Sequence, residues 1–471
     1  MVKVNKLALS IGAALVMGAV GSTQAATTTT HTQKKVVELE SQVAQLQQLV
    51  QQLSAQQQQQ VAQQQQIAQQ QQEQSVQLQQ NAILALEKPN VAPKESSSKP
   101  GWMTLADGQT QLKIYGNVRV DAVYDFDGST SSTADIYNRT NLAPLNSTNA
   151  TKGALNVSAA NSRLGIDLLR PTSYGDLKAK IEADFMSGTY TNGSGGFRVR
   201  HAFVELGKWT VGQTLSPFAN NDTTPETVDG NGPIGQGSTR AVQVRYTQPI
   251  TKTQKVLVAL EGGDVDNFSG ASQTAGGSRL PQLTARYDIA TADKKGLVQV
   301  HGLLRENRAS TNDSNDKESL GWGAGIGAKY NFTANDSIFA NYSHVKGAGK
   351  ANMLYANNSY TTVTSGTSFN ILASELDAVN IGYGRKWNNE WRSNLILGGM
   401  LYTDDNAFAK KAIADKSTTL NKSVYNIIVN AIYTPVKNVD LGVEYTYGQR
   451  ETFLSQKGDF SRLNLMAKYN F

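Results

Sequence analysis

Gln111–Phe126 reads QLKIYGNVRVDAVYDF, and its polarity repeats every second residue. Leu112, Ile114, Val118, Val120, Ala122, Tyr124 and Phe126 share one side of an extended chain. Lys113, Tyr115, Asn117, Arg119, Asp121 and Asp125 share the other. Successive side chains of a strand point to opposite faces, so this is a strand with one apolar face and one charged face. It is long enough to cross a bilayer as a tilted strand, with lipid on the apolar side and water on the charged side.

The same alternation recurs near 161–170, 176–186, 197–206, 209–213, 238–248, 254–262, 280–289, 296–306, 320–332, 336–346, 375–387, 391–402, 422–434, 438–450 and 459–471. With the first, near 110–126, that makes sixteen strands, an even number as a closed bacterial barrel requires. Short links such as Gly207-Lys208, Thr333–Asn335 and Pro435–Lys437 alternate with long polar ones at 127–160, 187–196, 214–237, 263–279, 307–319, 347–374, 403–421 and 451–458. Short periplasmic turns alternating with long outer loops are the pattern of an outer-membrane barrel. A soluble β-sandwich does not sort its loops this way. Trp387, Trp391, Tyr402, Tyr425, Tyr433, Tyr445, Tyr447 and Tyr469 fall near strand ends, where an interfacial girdle is expected. The chain stops at LNLMAKYNF, which resembles the terminal strand signal of outer-membrane barrels.

Composition fits. The 471 residues have a mean hydropathy of −0.39 and 41 glycines, which excludes a bundle of apolar membrane helices. Leu7–Val20, preceded by Lys3 and Lys6 and followed by small residues to Ala25, reads as a secretory signal peptide over 1–25 rather than a membrane anchor. There is no cysteine, so neither disulfides nor thiolate metal sites are expected.

After a lead at 26–35, Val36, Leu39, Val43, Leu46, Val50 and Leu53 form heptads with Val at a and Leu at d. The pattern passes through Gln tracts and tightens again at Val76, Ile83 and Leu86. We read 36–86 as a periplasmic coiled-coil oligomerisation helix, roughly 75 Å long; the alternative for the Gln tracts is a disordered low-complexity segment. Such a core favours dimers in parallel coiled coils, whereas the barrel points to a trimer, and a homotrimer is the expectation. A Pro/Ser-rich linker follows at 87–109, and the barrel occupies 110–471.

Phe197–Arg240 is where a pore would select. Two strand-like runs meet at Gly207-Lys208, and a long segment rich in Gly, Asn, Thr and Pro follows before the pattern resumes. Residues 214–237 are read as a loop folded into the barrel's mouth, narrowing it.

KIYGNVRVDAVYDF, SRLGIDLL, RHAFVEL and WTVGQTLSPF resemble the opening strands of the trimeric general porins. With the leading coil, the chain resembles the DcaP-like porins, a Gram-negative family associated with dicarboxylate uptake. The resemblance implies inward arginines at Arg163, Arg200 and Arg240, facing Asp222 and Glu226 of DTTPETVDG. Gly212-Gln213 and Asn117 stand where the general porins carry other residues, and those porins lack so long a coil.

The alternation itself lets Arg163, Arg200 and Arg240 face a lumen, along with Arg198, Arg119, Lys178 and Lys180. Cations packed at about 4 Å repel by about 4 kcal/mol at an effective dielectric near 20. They persist only with acids opposite or with anions in transit. A guanidinium fork holds a carboxylate by two hydrogen bonds, so two spaced forks suit a diacid. In the alternative reading these arginines are structural, paired with Glu182, Asp184 and Asp167. His201 shares an alternate-residue face with Phe203 and Glu205 and reads as a packing or interface residue.

Gly321, Gly323, Gly325 and Gly327 alternate along one strand, keeping one wall free of side chains, rather than forming a nucleotide loop. The four histidines are scattered without metal-ligand spacing, and no nucleophile motif is present. No catalytic, metal or cofactor site is expected. The basic balance is too small for nucleic acid. The expectation is an all-β transmembrane barrel of 16 antiparallel strands preceded by a periplasmic coiled coil. It would pass small anionic solutes such as dicarboxylates, with itself and outer-membrane lipid as partners. The rival is an envelope tether whose coil reaches the cell wall. A barrel lipase would need an outward Ser–His pair, which the sequence does not offer.

Overall fold

The computed structural model describes residues 101–128, 136–146, 152–187, 195–262, 273–274, 279–311, 316–365 and 368–471. The expected signal, lead and coiled coil, and the linker before residue 101, lie outside the described residues.

Sixteen strands follow one another round one antiparallel sheet: β1 Gln111–Asp127, β2 Arg163–Thr172, β3 Gly175–Ser187, β4 Gly196–Leu206, β5 Trp209–Leu215, β6 Arg240–Pro249, β7 Gln254–Glu261, β8 Gln282–Ala290, β9 Gly296–Thr311, β10 Asp316–Asn331, β11 Asp336–Lys346, β12 Glu375–Lys386, β13 Trp391–Tyr402, β14 Asn421–Val436, β15 Val439–Thr452 and β16 Lys457–Asn470. The last strand bonds back to the first, from Asn117↔Asn470 up to Tyr124↔Leu463, so the sheet is closed. Its lower half shares β1 with β2, and the upper half of β1 pairs with the short strand Ala154–Ser158. Closure removes every exposed ladder edge, which lipid cannot satisfy.

The expected faces are present. On β1, Ile114, Val118, Val120, Tyr124 and Phe126 are exposed outward, while Asp121, Val123 and Asp125 are buried inward. Trp391 stacks on Tyr433 at 4.5 Å and Trp209 meets Tyr246 at 4.9 Å near the short turns, forming part of an aromatic belt. Tyr402 departs from that belt. It is buried inside, accepts a hydrogen bond from Asn357 N at 2.7 Å and packs against Phe453. Its place in the pleat, not its nearness to a strand end, decides which way it points.

β9 and β10 also overrun their expected ends at 306 and 320, pairing up to Ser310↔Asp316. Polar residues such as Asn307, Arg308 and Glu318 resemble loop composition, yet the ladder continues through them.

The outer end is filled from within. The link between β11 and β12 carries the helical turn α1 (Gly349–Asn352) and a hairpin of Tyr360–Ser365 with Ser368–Ala373. The link between β13 and β14 carries α2 (Ala407–Ala414), capped by Asn406, whose side chain accepts from Ala409 N at 2.8 Å. Met353 and Phe408 from these links meet Leu376 and Met400 of the wall and Phe218 and Ile234 of the link after β5 in one apolar cluster. This packing holds the long links inside the barrel rather than above it.

Candidate functional site

One charge cluster sits on the wall formed by β1–β6. Asp184 on β3 lies opposite both Arg163 on β2 and Arg198 on β4. Arg198 grips it with two hydrogen bonds, at 2.8 and 2.7 Å. Arg200 reaches Asp184 at 2.9 Å and Glu182 at 3.0 Å, and Arg163 lies 3.9 Å from Glu182. Asp184 is fully buried, and Arg200 is 8% exposed. Three guanidinium groups thus share two carboxylates. Arg240, at the head of β6, finds no carboxylate within ion-pair distance among the described residues, and its Nε is buried without a hydrogen-bond partner. The wall therefore keeps a cationic surplus.

A β-bulge sharpens this wall. Glu182 pairs with His201 but Ala183 pairs with Val199, so Arg200 is the extra residue on β4. A bulge re-aims the side chains on either side of it. Phe197 and Val199 point outward before it, and Val204 after it. Arg200 and His201, though consecutive, both line the lumen. The structure thus corrects the reading of His201: its Nδ1 lies 3.1 Å from Thr214 Oγ1, and it borders the same chamber as the arginines. The outward apolar residues, odd before Arg200 and even after it, carry this signal in the sequence.

The link after β5 (216–239) crosses the lumen and is held by the opposite wall. Asn341 on β11 donates to Thr223 O at 2.8 Å, and Asn380 on β12 donates to Gly235 O at 3.1 Å. On β14, Asn426 accepts from Ile234 N at 3.3 Å and Asn430 donates to Glu226 O at 2.9 Å. Glu444 on β15 accepts from Val228 N and Asp229 N at 2.7 and 3.0 Å. Glycines let the backbones approach. A Cβ on Gly382 would sit 2.4 Å from Pro225, and one on Gly398 would sit 2.4 Å from Ile234 O. The glycine run on β10 is part of the same bed, since Gly323 abuts Phe218 and Gly327 abuts Thr223. It is a docking surface, not a bare wall.

Between the loop and the arginines lies a chamber of about 690 Å³. Five arginines line it (Arg119, Arg163, Arg198, Arg200 and Arg240), against Glu182, Glu226 and Asp229. Arg119 is partly engaged, bonding Asp121 and donating to Val228 O at 2.6 Å. Asp229, on the loop, is held by Asn138 N and Asn231 N at 2.6 and 2.8 Å. Burial pushes its carboxyl up to about 6, against those two amides and the nearby Arg462 and Arg119.

The remaining expected residues divide. Glu226 borders the chamber, yet its carboxylate turns to Arg392 on β13, with bonds of 2.7 and 2.9 Å. Asp222 is outside the arginine chamber, 3.7 Å from Arg286 and accepting from Gln299 at 3.2 Å. Lys180 pairs with Asp167 at 2.9 Å, and Lys178 stands opposite Glu205; neither lines the chamber. The arginines and the loop acids thus share a region without forming direct pairs. Arg392 and Arg286, which hold those acids, carry no distinguishing sequence signal; only their inward phase marks them.

Among the described residues no group of side chains is arranged to hold a metal ion. His301 Nε2 lies 3.3 Å from Ser343 Oγ, but the pair is buried inside, edge-on to Phe218 at 4.8 Å, and His301 Nδ1 has no partner to orient it. That arrangement lacks the third group of an activated nucleophile.

A search among curated proteins finds no match. The family described as DcaP outer membrane protein matches residues 40–471. The crystal structure of the outer membrane channel DcaP of Acinetobacter baumannii is similar at 30% identity and a TM-score of 0.68, covering 78% of this chain and 99% of that one. The anion-selective porin from Comamonas acidovorans shares the fold at 12% identity and a TM-score of 0.52, covering 77% of this chain and 100% of that one. A closed sixteen-stranded barrel with an apolar exterior, a loop crossing a polar lumen and a family match over the whole barrel and beyond lead to one assignment: the chain belongs to the DcaP outer membrane protein family and is an outer-membrane porin.

Proposed function

We propose that this porin passes small anions by diffusion through the arginine-lined chamber of each barrel, with dicarboxylates the favoured solutes. The observation that carries the reading is the cationic surplus of the chamber, with Arg240 lacking a carboxylate partner among the described residues beside a cluster of three arginines on two carboxylates. Rings of Arg and Lys select anions in pores, provided that binding stays weak enough for release. Of the chamber's five arginines, Arg163 and Arg240 are the least taken up by carboxylates among the described residues, so they are the pair proposed to receive the two ends of a diacid. Asp222 and Glu226 take part indirectly, by fixing the loop through Arg286 and Arg392.

The reading includes a homotrimer in outer-membrane lipid, with the 36–86 helix in the periplasm as its oligomerisation device. Deleting 36–86 is expected to cost the trimer on native gels while leaving single-barrel flux; detached envelope with normal trimers would favour the tether. The deciding test of selection is the zero-current potential in a planar bilayer under a salt gradient, for the natural chain and for Arg163, Arg200 and Arg240 changed together to Ala. Anion preference that collapses in the variant is the expected result. Cation preference in the natural chain, or no change on substitution, sinks the reading.

A further inference from the structure

At the short-turn end lies a second chamber, of about 680 Å³, distinct from the arginine chamber. The two have Asn221, Thr224 and Glu226 in common, so they meet at one stretch of the crossing loop. The acids that border the second chamber are Asp222 and Glu226, and both are already engaged, by Arg286 and Arg392. Its Arg385 is likewise taken, by Asp336 at 2.8 Å. Lys295, Lys329 and Lys386 also line it, and none of the three has a carboxylate within ion-pair distance among the described residues.

These lysines are placed by the ladder. Lys295 lies in the turn before β9, where its carbonyl accepts from Asn331 N, and Lys329 stands opposite Leu297. Lys386 closes β12 and donates its amide to Asn335 O. The ammonium of Lys329 rests 5.2 Å from the centre of the Phe339 ring, which steadies it over the chamber floor. Ser337, Ser393 and Asn394 add neutral polar groups to the lining.

We propose that this chamber is a second holding station for small oxyanions, carboxylate or phosphate, in series with the arginine chamber. An anion leaving the arginines past Glu226 is received by Lys295, Lys329 and Lys386 before it reaches the periplasmic water. Two weak sites in series allow release from one as the other fills, which conduction requires. The proposal rests on the anion reading above, but it makes a separate claim about sidedness.

The test uses the full chain in a planar bilayer, with single-channel current interruptions by succinate and, separately, by inorganic phosphate, added from each side in turn. The chain has no cysteine, so a lone N335C blocked by an impermeant thiol reagent reports which side carries the short turns. In K295Q/K329Q/K386Q, entry of both anions from the short-turn side is expected to slow roughly tenfold, the scale of electrostatic focusing in a charged cleft. Entry from the loop side should hold its rate, and the Lys→Arg triple should restore the short-turn rate. No slowing, or equal slowing from both sides, overturns the station. Failure of the underlying anion reading would show separately, as absent anion preference in the zero-current potential of the natural chain. If the Gln triple does not form channels, K329Q alone is read the same way.

Discussion

The wall of β1–β6 and the wall of β10–β15 are built on one alternation, apolar outward and polar inward, yet they spend their polar residues differently. The first concentrates arginines and carboxylates, with Arg240 left over among the described residues. The second presents Asn341, Asn380, Asn426 and Asn430, each 3% exposed or less, with glycines between them, and each of the four bonds the crossing loop. Neutral short side chains suit that task because a buried amide needs only matched partners, whereas a buried charge needs a counter-charge. One wall faces the open chamber and the other faces the loop that crosses the lumen.

The largest expected effect comes from breaking the first wall from its acid side. Asp184→Ala leaves Arg198 and Arg200 without their shared, fully buried carboxylate, and breaking such a pair costs about 3–5 kcal/mol. A drop in the urea midpoint of the lipid-refolded barrel, followed by gel mobility, checks it. Unchanged stability would mean the pair is solvated.

Next is the second wall. Gly398→Val places a side chain where Ile234 O now sits, so the loop must lift off its bed. Single-channel conductance should rise and anion preference weaken, with the barrel still folded. A smaller conductance would show that the loop tightens instead.

Arg240→Ala tests the wall without breaking an ion pair among the described residues. One charge at about 8 Å with an effective dielectric near 40 is worth about 1 kcal/mol, or about fivefold in the anion-to-cation permeability ratio. Stability should stay level; a large fall in stability would make Arg240 structural.

The smallest effect is set by pH. Asp229 takes up its proton near pH 6, not near 4. Lowering the pH from 7.5 to 5 therefore adds one positive charge to the chamber, and anion preference should rise about twofold, as expected for one charge in near-aqueous surroundings. Asp229→Asn should reduce the step. The raised value also has a stability sign. Folding keeps the proton between about 4 and 6, so the cost of the buried charge is absent below that window and full above it.

The barrel was legible because its signal is repeated sixteen times and each repeat constrains the next. Gln111–Phe126 alone assigns its two faces, and the structure agrees side chain by side chain. The arginine cluster was legible as inward residues, and both ideas about it, selection and pairing with Glu182 and Asp184, started from the same positions. What stayed hidden depends on contacts across the lumen. Nothing in Glu226 says that it turns to Arg392, because the two are brought together only by closing the barrel. The depth of the crossing loop was hidden for the same reason. The asparagines that fix it look ordinary singly, although a poor strand former recurring on the inward face of successive strands is itself a signal. His201 does share its face with Phe203 and Glu205, but only the bulge at Arg200, which the sequence shows faintly, turns His201 to the chamber.

The closing ladder between β1 and β16 also dictates how the molecule is made. β1 is synthesised first, and the partner that completes it is the last of the sixteen strands to appear. Until then the growing sheet has two raw margins, each able to capture a neighbour's strand. Joining them means closing a loop of nearly the whole barrel sequence, a late and slow step in any assembly order. A chain cut short anywhere in the barrel is therefore not a narrower pore but an open, adhesive sheet.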